Sequence, residues 1–359
     1  MNIGYLIKFK WYPPEGGAPG HAYQVANQLI KHGHHLHSIF YYNSAPNLKV
    51  YRQRQLFKFL QSIDVLYLRV DGDFGYEIFT LLKFLKFMKL PVIWEINSPL
   101  EELLMRGKTE EHVKRLHRKR AFLAKFVDAA ICVSGTIQEY AKEKLRIKNA
   151  FVVPNGSDPS LFSPKKRDPA LYKDIQGHFK LIWTGSAHYK WQGLDLINAI
   201  ASRIYGLDKN ITFILIGNRR DLADKEKWAA NIRIFDQKGY LEIPSYIAST
   251  DAGLCLYHNR GLNGKFYFSP LKLFDYMASG LAIIATGIGQ IKEVIKNQEE
   301  GILVDNDIDE IVKSILLLKN HPQEAKRMGL MARKKVEEFY NWTRVGEQTE
   351  QILQSLVEE

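Results

Sequence analysis

Cysteine is scarce: only Cys132 and Cys255 occur in 359 residues, too few for a disulfide framework or a cysteine-rich metal site. Each stands alone in an apolar run, "AAICVS" and "AGLCLY", which suits buried core thiols in a reducing compartment. Long hydrophobic runs are also missing. No segment approaches the roughly 18 to 20 apolar residues that span a bilayer, and "MNIGYLIKFKWYPP" meets lysine after only a short apolar run. A cytoplasmic protein, neither transmembrane nor secreted by a classical signal, is the expectation. The turn after the first apolar run lacks the G-x-G-x-x-G spacing and no G-K-[ST] follows, which sets dinucleotide-dependent and P-loop chemistry aside. Low-complexity tracts and fixed-period repeats are absent too.

Acidic residues are the shorter charge class, 39 against 50 Lys and Arg, for a net charge of +11. The excess is uneven. Residues 1–160 hold 23 Lys and Arg against 14 Asp and Glu, or +9, which leaves 27 against 25, or +2, for the remainder. Two segments concentrate it, "FTLLKFLKFMKL" (79–90) and "KRLHRKRAFLAKF" (114–126). A basic amphipathic surface can rest on anionic lipid, attract nucleic acid or be a solvated face. The expectation keeps an anionic membrane surface as a possible partner and no nucleic acid.

What the chain has in quantity is apolar residue, 46%, enough for two cores at this length. Short apolar runs alternate with longer helical patterns: "NIGYLI", "HAYQVANQLIKHG", "HHLHSIFYY", then "DVLYLRV", "YEIFTLLKFLKFMKL" and "PVIWEI". A second series begins with "FKLIWTG" and runs through "ITFILIG", "AGLCLY", "LAIIAT" and "GILVD". Such alternation predicts two doubly wound α/β domains. Between them "VVPNGSDPSLFSPKKRDP" reads as a connector. The expected division is 1–164, 165–338 and a last helix, 339–359. Ligands of open α/β sheets bind beyond the carboxyl ends of the strands, so two such domains facing a central cleft suit a two-part substrate.

Three turns carry candidate chemistry. In "PPEGGAPGH" Gly16 and Gly17 permit close backbone approach at a helix N-terminus, although a tight turn explains them as well as ligand contact does. In "TGSAHYKWQG" Gly185 does the same, and Lys190 can reach a diphosphate or stay solvated. In "SPLKLFDYMASG" Pro270 suits a first helical turn, which leaves the N–H groups of Leu271, Lys272 and Leu273 for an anion. Asp275 can accept from a ribose diol, or merely favour the helix N-terminus. Leu271, Phe274 and Ala278 form the expected inward stripe.

Together, "GGAPGHAYQVANQLIKHGH", "VSGTIQEYAKEKL", "FVVPNGSDPSLF", "GSAHYKWQGLDLINAI", "SPLKLFDYMASGLAIIAT", "GQIKEVIKNQEEGILV" and "NWTRVGEQ" resemble, in order, the retaining glycosyltransferases of family 4. The resemblance implies the GT-B fold, two Rossmann-like domains, and transfer of a hexose-type sugar from a nucleotide-sugar donor to a glycan or lipid-linked acceptor. It implies no bound metal or cofactor, a donor site in the C-terminal domain, and a last helix returning to the N-terminal domain. Gly16 and Gly17 match the family's glycine loop near the diphosphate. Ser269 to Leu273 match the turn whose amides hold it, Asp275 the ribose carboxylate, and Gly239 a glycine beside the base. Asn97, with Glu95 before it, falls near the family's histidine at the donor sugar. Three positions depart: Tyr267 stands for the first glutamate of E-x7-E, Gln192 for the lysine before a glycine, and Ser186 for an arginine. Lys190 and Lys272 are left to supply the charge. The competing expectations are a nucleotide-sugar 2-epimerase on the same fold and a catalytically weak nucleotide-sugar-binding partner. Bacterial polysaccharide or envelope assembly at the inner face of the membrane is the expected setting.

Overall fold

The computed structural model describes residues 1–14, 16–40, 45–70, 74–218, 222, 228–258 and 265–358, with the side chain of Lys190 outside the description. The chain divides into two compact units: Met1–Asn155 with Tyr267–Ser269 and Trp342–Glu359, and Gly156–Phe266 with Pro270–Asn341.

In the first unit the strands are β1 (Asn2–Ile7), β2 (His35–Ile39), β3 (Leu48–Tyr51), β4 (Val65–Arg69), β5 (Val92–Ile96), β6 (Ala129–Cys132) and β7 (Ala150–Val152). They form a parallel sheet in the order β3-β2-β1-β4-β5-β6-β7. All five residues of β4 and of β5 are buried, as expected for strands covered on both faces. In the second unit β8 (Phe179–Thr184), β9 (Ile211–Gly217), β10 (Ile232–Asp236), β11 (Ala252–Cys255), β12 (Ala282–Thr286) and β13 (Gly301–Val304) are ordered β10-β9-β8-β11-β12-β13, again parallel. Each unit is thus doubly wound. The strand order reverses between β1 and β4 and between β8 and β11, and a doubly wound sheet opens its crevice beyond such a reversal.

The connector does more than link. Ser157 bridges to Asn341 and donates its N–H to Tyr340 O at 3.0 Å. A Cβ on Gly156 would lie 2.8 Å from the carbonyl carbon of Asn341, so only glycine lets the two stretches of chain meet there. Arg333 donates to the carbonyls of Phe162 and Pro159, both at 3.1 Å. These bonds tie 156–164 to the second unit, and the division falls at 155/156 rather than at the expected 164/165. The helix Trp342–Glu358 packs on the helix Gly17–Lys31 within the first unit. Gly346 fits against Gln28, whose Cβ would stand 2.5 Å from any added methyl. Glu350 accepts from His32 Nδ1 at 2.7 Å and His34 Nε2 at 2.8 Å. Cys132 and Cys255 are buried free thiols.

Candidate active site

Beyond β1 the chain turns into the helix Gly17–Lys31. Gly16 is its N-cap, with φ +82°, a left-handed conformation in which glycine has no Cβ to strain. No side chain caps this helix, its first turn holds no acidic residue, and Gly16, Gly17 and Ala18 are exposed. The N-terminal N–H groups are therefore presented outward, the arrangement that suits an anion.

Beneath this turn lies a buried ionic cluster. Glu95, from β5, is 1% exposed. Its carboxylate meets Arg69 Nη1 of β4 at 3.1 Å and His21 Nε2 of the 17–31 helix at 2.9 Å, and accepts the O–H of Tyr67. Burial alone would raise the Glu95 pKa. The Arg69 guanidinium and His21, with the Tyr67 hydrogen bond, overcome it and hold the carboxyl well below the usual range. Glu95, expected near the donor sugar, is thus an enclosed carboxylate already held by Arg69, His21 and Tyr67. His21 Nδ1 also bonds Asn155 Oδ1, and Asn155 Nδ2 donates to Ser269 O at 2.7 Å. Asn97, just past the carboxyl end of β5, is half-buried.

Tyr267 and Ser269 group with this first unit. The Tyr267 carbonyl accepts from Ser134 Oγ at 2.9 Å while its side chain packs on the first core. Ser269 Oγ accepts the Asn155 N–H at 3.3 Å. These contacts occupy groups that were expected to face the donor.

In the second unit the residues beyond β8 and β11 converge on one ammonium. Lys272, on the helix Leu271–Ala278, is 9% exposed and donates from Nζ to Gln192 Oε1 at 2.7 Å. The same Nζ lies 4.4 Å from the ring centroid of Trp183 and 5.3 Å from that of Tyr257, a cation–π enclosure. Among the described residues no carboxylate forms an ion pair with it, and burial pushes its pKa from 10.5 to about 7. A Cβ on Gly185 would sit 3.0 Å from Nζ, so glycine leaves the approach to the ammonium open. Ser186 is exposed next to it. Lys190 opens the short turn Lys190–Gln192, with its side chain outside the described residues. Gly193 follows at φ +68°, and a Cβ there would meet the Leu256 carbonyl oxygen at 2.9 Å.

Pro270 is the N-cap of the 271–278 helix, one position earlier than a first-turn residue. Its carbonyl accepts the Leu273 N–H at 3.0 Å, and the Leu273 side chain is fully buried. The expected anion contact at Leu273 is therefore corrected: a tight first turn has closed that amide, and Leu271 and Lys272 remain. The helix buries Lys272, Leu273, Phe274, Tyr276, Met277 and Ala278, so it is enclosed nearly all round instead of along one stripe. Leu271 stays half-exposed. Asp275 accepts from Ser157 Oγ at 2.6 Å, and burial pushes its pKa up to about 7, opposed by that bond and aided by the Asp158 charge. Tyr276 OH accepts the Thr184 N–H at 2.7 Å and pins the end of β8. Gly239 is exposed in the turn before the helix Ile243–Ala248, its carbonyl accepting from the N–H groups of Glu242 and Ile243 at 3.0 Å. Trp183, Tyr257, Tyr67, Arg69, His21 and Asn155 were missed from sequence, since each lies inside or beside an ordinary-looking core run.

With this geometry in place, the comparisons with known proteins fall into line. Residues 178–321, which apart from 267–269 lie in the second unit, match the family model described as glycosyl transferases group 1. Over these residues the chain is similar to the glycosyl transferases group 1. An uncharacterized glycosyltransferase of Methanocaldococcus jannaschii is 24% identical over 65% of this chain and 60% of its own length. A phosphatidylinositol N-acetylglucosaminyltransferase component of Homo sapiens is 21% identical over 98% of this chain and 75% of its own length. The chain spans 60% of the archaeal relative's length and 50% of that of the gpi3 subunit of Schizosaccharomyces pombe, so their whole activities do not transfer by likeness alone. Among solved structures, a sucrose-phosphate synthase from Thermosynechococcus elongatus has TM-score 0.76 at 15% identity, covering 99% of each chain. HepE of Anabaena, solved with UDP and glucose, has TM-score 0.74 at 14% identity and covers 99% of this chain and 100% of its own. The fold of the chain is GT-B.

Proposed function

We propose that the chain transfers a hexose-type sugar from a nucleotide-sugar donor to a glycan or lipid-linked acceptor, with retention at the anomeric carbon and without a metal. The observation that carries this reading is Lys272: an ammonium enclosed at the carboxyl ends of the β8 and β11 region, with no carboxylate of its own among the described residues. A departing diphosphate supplies the missing anion. The Leu271 and Lys272 amides add donors, and Asp275 accepts from the ribose hydroxyls. A neighbour in fold binds UDP-glucose, which supports a nucleotide sugar as the donor class.

In the proposed step the anomeric C–O bond to the diphosphate breaks and its electron pair goes to the phosphate oxygen. The acceptor oxygen bonds the anomeric carbon on the same face, and its proton passes to the departing diphosphate. Charge grows on the diphosphate as the bond breaks, so fixed positive groups there act mainly on the transition state. Polysaccharide or envelope assembly is the proposed setting, and phosphatidylinositol glycosyltransferase relatives support a lipid-linked acceptor.

The test is a thermal-shift screen with UDP, GDP, ADP and their sugars, followed by donor incubation with and without acceptors. A sugar nucleotide that raises Tm and is consumed only with acceptor supports transfer. Conversion of the sugar without acceptor would make the chain an epimerase, and no binding of any nucleotide would remove the enzyme reading.

A further inference from the structure

The helix Tyr76–Phe87 of the first unit is apolar on both faces. Ile78, Leu81, Leu82 and Leu85 point into the core at helical spacing. The opposite side carries Tyr76, Thr80, Lys83, Phe84 and Phe87. Tyr76 is 88% exposed and Phe87 86%, at the two ends of the helix and about 17 Å apart along its axis. Exposing two large rings this fully has no folding benefit, so a partner is the natural explanation.

Neighbouring elements extend the face. Phe57, 66% exposed, packs its ring 5.8 Å from Phe84. Phe79 meets Phe122 at 5.0 Å, and Phe122 meets Phe126 at 5.3 Å. Lysines alternate with these rings: Lys86 Nζ lies 5.6 Å from the Phe126 centroid and Lys125 Nζ 5.9 Å from that of Phe122. Lys58, Lys83 and Lys89 are exposed beside them. Across 74–90 and 118–127 the sequence has one acidic residue, Glu77, and its carboxylate accepts the Gly75 N–H at its own helix start. Asp71 and Asp73 precede this stretch and lie outside the described residues. Arg120, which the basic 114–126 segment also contains, is not part of the face: it is 2% exposed and donates to Ser98 O at 2.8 Å.

We propose that this ring-and-lysine face, on helix 76–87 with Phe57, Phe122 and Phe126, docks on an anionic lipid bilayer. Charge complementarity selects the occupant. Phosphate headgroups take the lysines while the phenyl rings enter the acyl boundary beside them, and the lysine stems bridge the two depths. A twofold copy of the chain would set these lysines against one another. The proposal is independent of the donor chemistry, because nucleotide titration reads a different unit.

The experiment is co-sedimentation of the full chain with phosphatidylcholine vesicles and with vesicles holding about one third phosphatidylglycerol. The wild type pellets with the anionic vesicles only, and the bound fraction falls as salt rises. Lys83→Gln and Lys86→Gln each weaken binding about fivefold. The pair Tyr76→Ser and Phe87→Ser loses binding at every salt concentration, with Tm unchanged because both side chains are exposed. No pelleting at low salt, equal pelleting with neutral vesicles, or variants that bind like wild type would overturn the proposal. So would a dimer that these substitutions dissociate, or single-stranded DNA binding that survives where lipid binding is absent.

Discussion

Glu95 in the first unit and Lys272 in the second are both buried charges at the carboxyl ends of parallel strands, yet their surroundings are opposite. Glu95 has Arg69, His21 and Tyr67 against it, and its pKa is driven down so that it stays ionised. Lys272 has Gln192, Trp183 and Tyr257, none of which carries negative charge, and its pKa falls to about 7. A charge that is satisfied internally holds structure together. A charge left incomplete in a well-packed wall is what the proposed donor diphosphate would complete.

The sharpest break of this contrast is Glu95→Ala. It strands a buried guanidinium, and the expected loss is about 3 to 5 kcal/mol of stability, read from the urea midpoint. Lys272→Met should do the reverse. It removes an uncompensated buried charge, so Tm holds or rises, while turnover drops by about 100- to 1,000-fold, the scale for losing one fixed donor at a developing anion. Near wild-type transfer by that variant would show that the enclosed ammonium is structural too.

Titration sharpens the contrast next. Lys272 folds with a pKa below its unfolded value of 10.5, so the unfolded chain binds more protons between about pH 7 and 10.5, and stability rises with pH across that window. Donor binding has the opposite slope there, because a diphosphate favours the ammonium. Affinity for a sugar nucleotide should fall by up to about tenfold per pH unit above 7. Asp275, raised to about 7, is the stronger acceptor for a ribose when ionised, so affinity should also fall below pH 7. Lys272→Met removes the alkaline limb and Asp275→Asn the acid limb. Ser157→Ala is the smallest probe. It takes away the 2.6 Å hydrogen bond to Asp275 and should raise the donor KM several-fold, about 1 kcal/mol, with kcat little changed.

The alternation of apolar runs made both sheets legible, because parallel strands buried on two faces read as uninterrupted Val, Ile and Leu. Gly16, Gly185 and Pro270 were legible because turns into helices need particular backbones. The company of each charge was not. Arg69, His21 and Glu95 come from two strands and a helix with no fixed spacing, and only the β1-β4-β5 order brings them together. Trp183 and Tyr257 looked like core residues, as they are, and nothing in a run such as "AGLCLYH" shows that its last aromatic will border an ammonium. Leu273 failed for a smaller reason: whether a first-turn amide is free depends on ψ at Pro270, which composition does not set.

The incomplete charge is tested most directly by calorimetry at pH 8 in two buffers of different ionisation enthalpy, using the sugar nucleotide that raises Tm most. Binding should take up nearly one proton per site in the wild type and none in Lys272→Met. Equal proton uptake by the two proteins, or binding with none in either, would contradict the assignment of Lys272 as the ammonium that awaits the diphosphate.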